Sequence, residues 1–161
     1  MTTNLIRYTI RSSTLLLISF LLVSCSSPIE KINLAVEALP VPTDTNLLIR
    51  QDGTRQGSED ACFFLYTKLL YGTSQSLNEV TEFYATTLAS NSWHSSDTLT
   101  SSSAASWKKN KDFQLSLRFD PDLDFSVSTV SQAKMQYNTV YYLVLSYADR
   151  LARTKCLGET D

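Results

Sequence analysis

Residues 76–91 read SLNEVTEFYATTLASN, and their spacing decides the fold. Ser76-Leu77-Asn78-Glu79 is a capping box: the hydroxyl and the carboxylate can each accept a backbone N–H that a helix start leaves without a partner. Leu77, Val80, Phe83, Tyr84 and Leu88 then recur on one helical face. Asn91 suits the left-handed stop. The pattern predicts an amphipathic helix over about 76–90. Phe83 is the expected core anchor, and cutting it to Ala should cost about 3–5 kcal/mol.

Downstream the period changes from helical to two. Trp93–Leu99 and Ala104–Lys109 read as strands, the second with Ala105 and Trp107 on one face. Asn110-Lys111-Asp112 makes a tight turn. Phe113, Leu115, Leu117 and Phe119 alternate with Gln114, Ser116 and Arg118, the mark of a half-buried strand. Asp120-Pro121-Asp122 ends it, and Leu123–Tyr137 reads as a short strand at Phe125–Ser128 followed by a loop. Thr139–Tyr147 is almost wholly apolar and reads as a central strand; Ala148–Arg153 reads as a helical turn.

Upstream, Thr45–Arg50 is a short strand and Gln51–Asp60, rich in Gly and charge, reads as a loop. Ala61–Leu70 is a strand with both faces apolar, broken by Tyr71-Gly72-Thr73. One amphipathic helix and one antiparallel sheet need each other to bury their apolar faces. The expected fold is therefore α+β, a two-layer domain over 43–161 with the helix on one sheet face. No internal repeat is present in the sequence.

The N-terminus carries a secretory pattern: Arg7 and Arg11, the apolar run Thr14–Val23, then small Ser24 before Cys25. The run is shorter than the roughly 20 apolar residues a spanning helix needs, and Ser26-Ser27-Pro28 follows at once. Leu22-Val23-Ser24-Cys25 resembles the lipobox of bacterial lipoproteins. The resemblance implies that residues 1–24 are a signal peptide cut before Cys25. It also implies that the Cys25 thiol carries a diacylglycerol, with palmitate among its chains. The protein would then be anchored in a membrane by lipid, facing the periplasm or the cell exterior. Ser26, in place of the Asp that often retains such proteins at an inner membrane, implies export to the outer membrane in a two-membrane host.

On that resemblance residues 25–42 are expected to form the lipidated N-terminus and tether. Ser27-Pro28-Ile29-Glu30 reads as a capping box, and Ile29, Ile32, Val36 and Leu39 follow at helical spacing. A short helix over Pro28–Ala38 and a flexible spacer both fit. Phe83-Tyr84, Leu88 and Trp93 also resemble the helix-to-meander segment of small secreted bacterial lipoproteins of unknown function. Those often have Gly where this chain has Ser92. That resemblance implies the fold and no activity.

With Cys25 assigned to lipid, Cys62 and Cys156 remain. Outside the cytosol such a pair is expected to form a disulfide; two separate buried thiols are the alternative. The bridge would close a loop worth about 4–5 kcal/mol in the chain-entropy model.

Reactive constellations are scarce. His94 is the sole histidine; Ser92, Ser95, Ser96 and Asp97 surround it, but no Gly-x-Ser-x-Gly elbow exists. A Cys62–His94 thiol pair competes with the disulfide. Asp120, Asp122 and Asp124 alternate like a calcium loop, yet Phe125 and Ser131 stand where Gly and Glu are needed. A structural turn is the expectation, with no catalytic residue, no metal site and no cofactor. Net charge is −2, which leaves no electrostatic footprint for nucleic acid.

Lys108, Lys109 and Lys111 cluster at one hairpin. They could face anionic lipid or an envelope polymer, or keep an edge strand unpaired. Tyr137, Tyr141, Tyr142 and Tyr147 could line a recognition surface or pack inward. The sequence thus points to a non-enzymatic, lipid-anchored interaction or assembly module of the envelope, with an envelope protein as partner. A binding module for a small ligand or envelope polymer is the alternative; it requires a pocket between helix and sheet. An enzyme would require His94 to converge with a carboxylate or hydroxyl.

Overall fold

The computed structural model describes residues 27–56, 63–96 and 104–149. Cys25, Cys62, Cys156, the lipobox and residues 97–100 and 150–153 lie outside them, and with them the lipid site, the disulfide and the helical turn.

The first helix, α1, spans Pro28–Glu37, with Ser27 Oγ accepting the Glu30 backbone N–H at 3.1 Å and Pro28 in the first turn. It settles the reading left open for this segment. α1 is a docked helix, because Ile32 and, just beyond it, Leu39 are buried in the main core. Strands β1 (Thr45–Gln56) and β2 (Phe63–Thr73) follow, then α2 (Leu77–Ser90) behind the expected capping box. Next come β3 (His94–Ser95), β4 (Ala105–Lys109), β5 (Phe113–Arg118), a 3-10 turn at Pro121–Leu123, α3 (Val127–Gln136) and β6 (Thr139–Tyr147). The six strands form one antiparallel sheet in the order β1-β2-β6-β5-β4-β3. This is the two-layer α+β fold, with β6 central as its apolar run demands.

Side chains opposite one another in an antiparallel ladder share a face. Leu69 and Tyr71 of β2, Tyr141, Leu143, Leu145 and Tyr147 of β6, Leu115 and Leu117 of β5 and Trp107 of β4 make one face. α1 and α2 cover it through Ile32, Val80, Tyr84 and Leu88. Leu70, Val140 and Tyr142 face the other way and are covered by Phe125, Val130 and Ala133. Each fully buried Leu or Val side chain here contributes roughly 1.5–3 kcal/mol.

Five expectations change, the first being that β2 continues through Tyr71-Gly72-Thr73 where the sequence suggests a break. β1 runs on to Gln56 through the stretch read as a loop. Gly53 belongs there because the Tyr66 ring lies over it: a β-carbon at 53 would sit 2.5 Å from Tyr66 Cζ. Residues 123–137 form the 3-10 turn and α3 in place of a strand and loop. That helix has no side-chain cap and little periodicity; Val130 and Ala133 form it because they cover the second sheet face.

Phe83 is only half-buried, edge-on to Tyr84 at 5.3 Å, and Tyr84 is the anchor. The left-handed residue after α2 is Ser92, φ 64°, not Asn91, φ −103°. Asn91 instead donates its side-chain amide to Thr87 O.

Candidate functional site

Edge strands carry unpaired N–H and C=O groups, a template for another chain. β3, at one edge, is two residues long. β1, at the other, is twelve residues long and among the described strands pairs only with β2. Asn46, Leu47, Arg50, Gln51, Asp52, Thr54 and Arg55 along it are exposed.

The centre of this edge is organised by Arg50. Its Nε donates to Asp52 Oδ2 at 3.0 Å and Oδ1 at 3.2 Å, and its Nη2 donates to Asn33 Oδ1 of α1 at 2.5 Å. Thr67 of β2 donates to Asp52 Oδ1 at 2.7 Å. Burial alone would raise the Asp52 carboxyl. Hydrogen bonds from Thr67 and Arg50, with the Arg50 charge, outweigh it and hold the group below its usual value. Arg50 thus connects the edge to the helix nearest Cys25. Sequence reasoning missed this pair by ending the strand at Arg50. The signal was there: Arg50, Asp52 and Thr54 alternate with Ile49, Gln51 and Gly53.

A second polar cluster lies on the α3 face. Asp124 pairs with Lys68 Nζ, accepts from Tyr142 Oη at 2.5 Å and lies 3.8 Å from Arg118 Nη1. Arg118 sits 5.9 Å from the Tyr142 ring centroid, and among the described residues its buried Nε has no hydrogen-bond partner. Burial opposes the Asp124 charge, but Lys68, Tyr142 and Arg118 together hold its carboxyl below the usual value. Burial and the Asp124 bond push the Tyr142 phenol up to about 12. The cluster latches the 3-10 turn to the sheet.

The aspartates that alternate in sequence go to different partners. Asp122 pairs with Lys134 at 2.6 Å, Asp124 turns to the sheet, and Asp120 is exposed. No group of three metal-ligating side chains occurs among the described residues. His94 is exposed on β3, across from Lys108; Ser95 lies across from Trp107 and Asp97 is outside the described residues. Lys109 Nζ lies 5.9 Å from the Trp93 ring centroid, and Asn110 turns the hairpin at φ 54°.

The tyrosines are packing. Tyr141, Tyr142 and Tyr147 are buried, and Tyr137 is half-buried against Gly72. Tyr84 and Tyr141 hydroxyls meet at 3.2 Å, and Tyr71 stacks on Tyr141. Burial pushes the Tyr141 phenol up to about 12, and pushes that of Tyr84 higher still. Val80, Tyr84, Leu88 and Trp107 fill the space between α2 and the sheet, where a ligand pocket would have to lie. A shallow open groove runs past Ser76, Glu79 and Asn138, with Ser76 and Glu79 already engaged in the capping box.

Comparison with protein families, with characterised proteins and with solved structures finds no match to this chain.

Proposed function

We propose that this chain is a lipid-anchored, non-enzymatic interaction module of the bacterial cell envelope, tethered through Cys25 and presenting the open edge of β1. The observation that carries the reading is the docking of α1. Pro28 stands three residues after Cys25, and Ile32 and Leu39 are already in the core. Lys31 Nζ reaches Tyr147 Oη at 3.5 Å and Asn33 meets Arg50. An acyl chain on Cys25 therefore holds the folded domain close against the bilayer, and Arg50 couples that helix to the exposed edge. Among the described residues no helix is long and apolar enough to cross a membrane. Two or three acyl chains hold stably where one binds only marginally.

The test is palmitate labelling with membrane fractionation of the full chain against Cys25→Ala. Label and membrane association that depend on Cys25 support the anchor. Equal labelling of both chains overturns it.

A further inference from the structure

We propose that the β1 edge pairs, antiparallel, with β1 of a second copy of this chain, about a twofold axis through Gln51. The inference deepens the reading of β1 as the working surface and rests on it.

The argument is charge complementarity within one strand. An isologous interface sets each residue against a symmetry-defined partner. With the axis at Gln51, Arg50 stands across from Asp52 of the partner subunit, and Asp52 from Arg50 of the partner subunit. Ile49 stands across from Gly53 of the partner subunit. Opposite charges directly across a ladder attract, and like charges repel. Moving the axis by one residue along the strand destroys the match. Centred on Arg50, two guanidinium groups face each other; centred on the other side, two Asp52 carboxylates do. Charges on an edge ordinarily keep it unpaired; in this one register they select the strand's own copy. In this register the stretch Ile49–Gly53, on the regular side of the β-bulge between Leu47 and Ile49, overlaps its mate.

The proposed lipid anchor is compatible with the same pairing. Antiparallel pairing about an axis perpendicular to the sheet keeps equivalent faces on the same side. α1 contacts β2 and β6 on the face it shares with α2. Both copies of α1 therefore lie on one side of the joined sheet, so both Cys25 anchors can enter one bilayer. A face-flipping contact would point them apart.

The test uses the full chain in a bacterial host, with Gln51→Cys as a probe of the axis and Arg55→Cys as an off-axis control. Side chains across an antiparallel pair are about 5 Å apart at Cβ, so Gln51→Cys should oxidise to a self-crosslinked dimer and Arg55→Cys should not. Adding Arg50→Asp or Asp52→Arg to the Gln51→Cys chain places like charges opposite each other. Each should reduce the dimer on the order of tenfold. Co-expressing the two charge variants, distinguished by tags, should restore the crosslink between them. Their charges then match across the axis, while the ion pair within each chain stays broken. A destabilised fold could not give that rescue.

Absence of the Gln51→Cys dimer, equal crosslinking at 55, failure of the mixture to recover, or capture of a different protein each overturns the proposal. Repeating the crosslink on detergent-solubilised Cys25→Ala chains separates the two readings. A dimer that forms while the wild type fails to fractionate with membranes removes the anchor and keeps the pairing. Membrane association without a dimer does the reverse.

Discussion

The Tyr66 ring lies over Gly53, so that a β-carbon at position 53 would meet Tyr66 Cζ and Oη at 2.5 Å. The two residues are directly opposite across β1 and β2. Tyr66 is half-buried, so its ring can tilt outward to make room. Gly53→Ala is expected to cost about 1 kcal/mol, the low end of overpacking. Combining it with Tyr66→Ala should remove most of that penalty, and urea denaturation of the four chains measures the coupling.

Tyr84 and Phe83 are neighbours in sequence with unequal burial. Tyr84 is fully buried beneath α2, while Phe83 is partly exposed at its rim. Tyr84→Ala should destabilise by about 3–5 kcal/mol, and Phe83→Ala by less than half as much. Tyr84→Phe loses only the hydroxyl contact to Tyr141 and should cost about 1 kcal/mol. Equal effects at 83 and 84 would contradict this packing.

The Asp124 carboxyl is held below its unfolded value by Lys68, Tyr142 and Arg118 against the opposing effect of burial. A depressed folded value means the stabilisation is fully present above the unfolded pKa of about 4. It is lost as pH falls through the folded value. Asp124→Asn should be less stable than wild type at neutral pH by about 1–3 kcal/mol, discounted because the pair is partly solvated. The gap should close in acid, and melting temperatures of both chains from pH 7 down to 2 report it.

Ser92 turns the chain from α2 into β3 at φ 64°, a conformation glycine adopts without the steric cost of a β-carbon. Ser92→Gly should therefore be neutral to stabilising, by up to about 1 kcal/mol, where the same change on a strand would destabilise. Thermal melts of the two chains decide it.

β2 begins and β6 ends at one end of the sheet, with Leu65 across from Tyr147. Cys62 precedes the first of these strands and Cys156 follows the second. Thiol counting on the denatured mature protein should find neither free. Reduction should lower stability by about 2–5 kcal/mol. Two free thiols would show that the pair is not bridged.

The elements that sequence determined were those whose pattern is local. The capping box and apolar stripe placed α2, strict alternation placed β5, and the all-apolar run placed β6 at the centre. Those signals arise from the repeat of one helix or strand against one core. α3 has no such signal, because Val130 and Ala133 are worth burying only where Leu70, Val140 and Tyr142 offer a second apolar face. The continuation of β1 through Gly53 is equally non-local: charged residues and a glycine look like a loop until Tyr66 is placed opposite. The ranking of Tyr84 over Phe83, adjacent on one helix, depends on which of the two positions the sheet covers. The helix-on-sheet plan and the missing elbow and calcium-loop residues were legible in sequence alone, as was the lipobox-like pattern of Leu22-Val23-Ser24-Cys25. Tertiary structure decided which edge stays open among the described strands. It also brought Arg50, Asp52, Thr67 and Asn33 together from three separate elements, because strand register and helix docking, not spacing along the chain, set those distances.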